Sequence, residues 1–133
     1  MKVLSLFDGI SCAHVALEKA DILVEKYYAS EIDLPAMKVS MANWPDILQV
    51  GDIKKLKANS AHKGFFPACD WGYLGDDIDL LIGGSPCQDL SIATKNRKGL
   101  EGSRSGLFWE YVRVLKQCKP KYFILENVAS MPK

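Results

Sequence analysis

Apolar residues fall along this chain in short blocks, and the blocks follow two different periods. Val3-Leu4-Ser5-Leu6 and Ile78-Asp79-Leu80-Leu81-Ile82 are nearly continuous apolar runs of strand length. Such runs suit strands that are covered on both faces of a parallel sheet. Stretches with helical spacing lie between them. On this pattern Lys2–Leu6 is a first strand and Cys12–Lys19 a first helix, with Val15 and Leu17 among its apolar residues and Ser11 as its N-cap. Residues 24–30 form a second strand, Leu34–Asn43 a helix that stops before Pro45, and residues 47–50 a short third strand. Residues 54–77 begin polar, carry Phe65-Phe66-Pro67, and read as a surface excursion with an aromatic anchor. Residues 78–82 are the fourth strand, 106–118 an amphipathic helix and 122–125 the fifth strand, while the Gly-, Lys- and Arg-rich residues 91–105 read as a mobile loop. Strands alternating with helices in this way predict a doubly wound α/β fold on a parallel sheet, with strand order 3-2-1-4-5. No internal repeat or low-complexity segment interrupts it.

Composition narrows the class without naming a function. The 133 residues suffice for one domain, and 48% hydrophobic with 25% charged residues is a globular balance. The formal net charge of +1 gives no overall claim on nucleic acid, so any such surface must be a local patch. Cys12, Cys69, Cys87 and Cys118 form no Cys-x-x-Cys pair, and His14 and His62 complete no zinc pattern, so no metal is expected. No signal peptide and no apolar run of membrane-spanning length is seen, which predicts a reducing, intracellular setting and no membrane.

The chemistry gathers where predicted strands end, the side of an α/β sheet where ligands bind. Phe7-Asp8-Gly9-Ile10-Ser11 joins the first strand to the first helix. Its glycine lets backbone approach a ligand, and free N–H groups at the helix start favour a polar or anionic group. Glu31 leaves the second strand 22 residues after Gly9, where a carboxylate can accept from ribose hydroxyls. Asp52 leaves the third strand and can accept from an adenine amino group, with Ile32 or Ile53 packed on the ring. These features alone indicate a nucleoside-containing cofactor and fit NAD as well. The fourth strand runs into Gly83-Gly84-Ser85-Pro86-Cys87-Gln88, and the fifth into Glu126-Asn127-Val128, 39 residues beyond Cys87. A thiol and a carboxylate on neighbouring strand ends can act on one small planar substrate. Lys95, Arg97, Lys98 and Arg104 make the loop after Cys87 locally basic.

Taken together, Phe7-Asp8-Gly9, Glu31-Ile32, Asp52-Ile53, Pro86-Cys87-Gln88 and Glu126-Asn127-Val128 resemble the motifs of the DNA cytosine-C5 methyltransferase family, in order. The family carries Phe-x-Gly-x-Gly after its first strand, and Ser11 stands here in place of the second glycine. The resemblance implies a Rossmann-like methyltransferase fold with S-adenosylmethionine as cofactor. Its pocket would be lined by Phe7, Asp8, Gly9, Ile10, Ser11, Glu31, Ile32, Asp52, Ile53 and Leu107. Cys87 would be the nucleophile that adds to C6 of cytosine, supported by Pro86, Glu126 and Asn127. Ser85 and Gln88 would flank it and, with Lys95, Arg97, Lys98 and Arg104 of the active-site loop, would contact DNA. Residues 1–133 correspond to the first half of the family's catalytic domain, truncated after the fifth strand. The target recognition region and the later cofactor motifs have no counterpart in them. The expected partners are therefore DNA and a complementary C-terminal half, or a second copy at the open sheet edge. The expected setting is the cytoplasm of a bacterium or phage host, with the nucleus as the alternative. The other readings are a non-catalytic cofactor-binding subunit, a transfer-RNA cytosine-C5 methyltransferase, and a nicotinamide oxidoreductase, which would leave Cys87 and Glu126 without a role.

Overall fold

A computed structural model describes residues 1–59, 64–66, 78–86 and 106–128. Its main sheet contains β1 (Lys2–Leu6), β2 (Lys26–Ser30), β3 (Leu48–Gln49), β6 (Leu80–Gly84) and β7 (Tyr122–Glu126) in the order β3-β2-β1-β6-β7. Every pairing in it is parallel. β4 (Lys57–Asn59) and β5 (Gly64–Phe66) form a separate antiparallel hairpin where only a surface excursion was expected. Counting only the strands of the main sheet, the order is the expected 3-2-1-4-5.

Side-chain alternation along the strands divides the core into two layers. Leu4 and Leu6 of β1, Tyr28 of β2 and Leu81 of β6 pack with Tyr111 and Val114 of α3 (Leu107–Cys118). Val3, Tyr27, Ala29 and Leu80 point the other way, towards Leu17 of α1 (Cys12–Lys19). The apolar runs are continuous because each layer claims alternate residues. α2 (Leu34–Asn43) starts at Asp33, whose carboxylate accepts from Ala36 N at 3.1 Å, and buries only Ser40.

Some boundaries differ from expectation. β2 begins at Lys26 and not at residue 24, and β3 holds only Leu48–Gln49. β6 runs two residues later than its apolar block, because Gly83 and Gly84 continue the ladder opposite Leu6, Leu125 and Glu126. Glycine discourages a strand assignment, but at Gly83 the neighbouring β1 lies too close for a side chain. A Cβ on Gly83 would sit 2.6 Å from the Leu6 carbonyl oxygen.

The sheet changes direction at β1. The chain winds outward through β2 and β3 on one side, then returns to place β6 and β7 on the other. The crevice at such a switch point, outside the carboxyl ends of the strands, is where open α/β sheets bind ligands.

Candidate cofactor cleft and strand-end site

The loop leaving β1 has a contorted backbone. Phe7, Gly9 and Ser11 all take positive φ, at 55°, 60° and 65°. Left-handed backbone costs a side-chain-bearing residue about 1–2 kcal/mol, and such conformations gather at functional sites. Gly9 has open space where a Cβ would be, so its backbone stands free for close approach. Ser11 is fully buried and left-handed, and its hydroxyl makes no cap bond to α1. The expected N-cap bond is thus replaced by others: Ser11 Oγ donates to Asp8 Oδ2 and lies 2.6 Å from Ser40 Oγ. This geometry gives a physical reason for a glycine at the position, and for the polar lock that lets serine stand in.

Asp8 is also turned inward. Its other oxygen accepts from the Tyr27 hydroxyl at 2.7 Å. Burial, and then the negative charge of Asp8, push the Tyr27 pKa upward, so the phenol keeps its proton and donates. Asp8 and Ser11 therefore lie beneath the loop as its support, while Ile10 is 48% exposed above it.

The loop meets the exit of β2 through Glu31. Glu31 Oε2 accepts from Gly9 N at 2.8 Å, and Oε1 accepts from Ile32 N at 2.7 Å and Asp33 N at 2.9 Å. A carboxylate has about four acceptor positions, so these bonds leave one open, on Oε2. The β2 and β3 exits are joined in turn by Ser30 Oγ, which donates to the Gly51 carbonyl at 2.7 Å. Asp52 caps the 3₁₀ turn Ile53–Lys55 by accepting from Lys54 N at 2.9 Å.

These exits enclose one cleft of about 210 Å³, lined among others by Phe7, Glu31, Ile32, Asp52, Ile53 and Leu107. That is smaller than the ~300–1,000 Å³ of typical small-molecule sites, so it suits a nucleoside-sized part of a ligand. Ile32 is 70% exposed and offers an uncovered apolar wall. Ser30, Gly51 and Lys54 also line the cleft and were not anticipated. Gly51, with φ of 73°, carried the same signal as Gly9, a glycine just past a strand. Lys54 carried none.

Pro86 closes the cleft on the β6 side. Just before it, Ser85 is buried, and its hydroxyl accepts from Asn127 Nδ2 at 2.9 Å. Ser85, expected to face nucleic acid, instead ties the β6 exit to the β7 exit. Glu126 lies over Gly84, with its Oε2 2.5 Å from where a Cβ would be. Cys87, Gln88, Lys95, Arg97, Lys98 and Arg104 lie outside the described residues. Among the described residues no group of three or more His, Cys, Asp or Glu is arranged to hold a metal, and no helix is long and apolar enough to cross a membrane.

The molecule is thus a doubly wound α/β protein with a nucleoside-sized cleft at its switch point, bordered by two strand ends that are stitched together. It belongs to the C-5 cytosine-specific DNA methylase family, whose sequence profile matches residues 1–133. It is 37% identical to the orphan methyltransferase M.SPRI of Bacillus phage SPR, covering 98% of this chain and 27% of that protein. It is also 37% identical to the type II methyltransferase M.NgoBV of Neisseria gonorrhoeae, covering 98% of this chain and 28% of the relative. Among solved structures it resembles a prophage-encoded E. coli protein assigned as a DNA modification methyltransferase. That likeness has a TM-score of 0.71 at 27% identity and covers 100% of this chain and 33% of the other. The chain therefore spans about a quarter of the length of the curated relatives it matches. The fold is the Rossmann-like methyltransferase sheet.

Proposed function

We propose that this chain carries the cofactor and nucleophile half of an enzyme that methylates C5 of cytosine in DNA, with S-adenosylmethionine as methyl donor. The observation that carries this reading is the shared cleft. Phe7, Glu31, Asp52, Ile53 and Leu107 surround a nucleoside-sized space whose remaining wall includes Pro86, the residue before Cys87.

The cleft chemistry fits such a cofactor. Glu31 has an open acceptor position for a ribose hydroxyl, and a second hydroxyl would have to share Oε1 or displace Gly9 N. Asp52 would accept from the adenine amino group, while Phe7, Ile32, Ile53 and Leu107 supply apolar walls. When bound, S-adenosylmethionine supplies an electrophilic methyl group. The chain's part is to make C5 of cytosine nucleophilic. Cys87, as the thiolate, adds to C6, and C5 then behaves as an enamine carbon. Glu126 delivers a proton to N3 and so stabilises the negative charge that thiolate addition spreads onto the ring. Loss of the C5 proton and expulsion of the thiolate restore both cysteine and aromatic ring. Ser85 and Asn127 hold the two strand exits in register for this step. Gln88, Lys95, Arg97, Lys98 and Arg104 would hold the flipped base and its phosphates. Relatives from a phage and a bacterium support a cytoplasmic setting.

Calorimetry tests the cofactor: S-adenosylhomocysteine should bind, and NAD binding in its place would overturn the assignment. Once a complementary half restores activity, an oligonucleotide carrying 5-fluorocytosine should be trapped on Cys87, because fluorine cannot leave as a proton does. An adduct found on another cysteine would refute the nucleophile. Matched DNA and RNA strands in the same assay separate a DNA from an RNA substrate.

A further inference from the structure

Arg113 sits on α3, away from every motif described above, yet it reaches back to the cofactor cleft. Its Nη2 donates to the Ile53 carbonyl at 2.7 Å and its Nη1 to the Leu56 carbonyl at 2.8 Å. Those carbonyls bracket the 3₁₀ turn Ile53–Lys55: Leu56 is its C-cap, and the Ile53 carbonyl also accepts from Leu56 N at 3.2 Å. The guanidinium is itself held in place. Nε donates to Glu110 Oε2 at 2.7 Å, and Nη1 donates to Gln117 Oε1 at 2.9 Å. Four N–H···O bonds from one planar fork fix its orientation, a geometry an ammonium cannot copy. Ile53 and Leu56 are buried in the same layer as Tyr111 and Val114 of α3.

The same helix supplies Leu107 to the cleft, six residues before Arg113 and about 9 Å along the axis. α3 therefore touches the cleft directly through Leu107 and holds Ile53, another lining residue next to Asp52, through Arg113. We infer that Arg113 is a positioning residue for the cofactor: it sets where Asp52 and Ile53 stand relative to Leu107, and so the width of the nucleoside cleft. This rests on the cofactor reading above. It assigns Arg113 no contact with the ligand.

The test uses the full 133-residue chain with S-adenosylhomocysteine as probe, followed by calorimetry. Arg113→Ala should weaken binding about ten- to a hundredfold, the scale for losing hydrogen bonds from a charged group. Arg113→Lys should fall between Ala and wild type. Methylguanidinium at millimolar concentration should restore binding to Arg113→Ala and leave wild type unchanged. In the ligand-free protein, hydrogen exchange should accelerate at the Lys55 and Leu56 amides, which donate to Asp52 and Ile53 carbonyls. Wild-type affinity in Arg113→Ala, or unaltered exchange at those two amides, would overturn the inference. If the alanine variant does not fold, the lysine variant decides: wild-type affinity there overturns it, and a several-fold loss with faster exchange at Lys55 and Leu56 supports it. Failure of the wild-type chain to bind S-adenosylhomocysteine would instead overturn the cofactor reading beneath it.

Discussion

The adjacent glycines at the end of β6 should respond differently to the same added methyl group. A Cβ on Gly83 would lie 2.6 Å from the Leu6 carbonyl oxygen and 3.1 Å from Leu6 Cβ, where ordinary contact begins at 3.4 Å. Leu6 is the register partner of Gly83 on the central strand, so its carbonyl cannot turn aside without opening the ladder. Overpacking of this kind costs about 1–3 kcal/mol, and a rigid backbone neighbour puts Gly83→Ala at the upper end. For a domain of this size, that lowers Tm by on the order of 10 °C. On Gly84 the Cβ would lie 2.5 Å from Glu126 Oε2 and 3.4 Å from the Glu126 carbonyl oxygen. The carboxylate is the far end of a flexible, exposed side chain, so it can rotate away for about 0.5–1.5 kcal/mol. Gly84→Ala should therefore melt within a few degrees of wild type. It should nevertheless damage the site, since Glu126 can no longer rest above β6. If Glu126 acts at N3 of the base, adduct formation with 5-fluorocytosine in the reconstituted enzyme should slow by roughly 10²-fold, the lower range for acid–base assistance. Circular dichroism melts of both variants, followed by the trapping rate of Gly84→Ala, make the test. Equal melting temperatures for Gly83→Ala and wild type would refute the packing argument. An unslowed trapping rate in Gly84→Ala would refute the role given to Glu126's position.

Three further outcomes are expected. Ser11→Gly and Ser11→Ala both lose the bonds to Asp8 and Ser40, but glycine also sheds the left-handed strain and should melt close to wild type, whereas alanine keeps it and should lose about 1–3 kcal/mol in urea melts; equal stability of the two would contradict the strain assigned to this position. Burial pushes Tyr111 up to about 12, and Tyr27 is raised as well, so their stabilising contribution is complete below pH 10 and is lost as pH climbs from about 10 through 12; Tyr111→Phe should flatten that loss in denaturant midpoints measured across the range. Because Tyr122, Phe123 and Ile124 are exposed on the terminal strand of the sheet, the chain should self-associate with rising concentration, and Phe123→Lys should shift light scattering towards the monomer; an unchanged profile would show that β7 is not the contact.

The order of elements was determined by the chain's own pattern. A strand covered on both faces must be apolar at successive positions, and a helix on a sheet must repeat at its own period, so both show in local sequence. The strand exits followed from that order, and with them the placing of Phe7, Glu31, Asp52, Pro86 and Glu126 on one side of the sheet. Only the tertiary structure decided what the side chains there are bonded to. Asp8 and Ser11 read as cofactor residues from their motif, but their partners, Tyr27 and Ser40, come from other elements and draw them beneath the loop. Ser85 is buried because Asn127, 42 residues later, reaches it. Arg113 gave no sign of its place, since its acceptors lie 57 and 60 residues back on the chain. The β4–β5 hairpin and the extension of β6 through two glycines likewise depend on which backbones lie alongside. Periodicity and motif spacing are properties of neighbours in sequence. A hydrogen bond to a distant carbonyl, a positive φ held by a buried hydroxyl, or a glycine required by the next strand is set only when the sheet brings those atoms together.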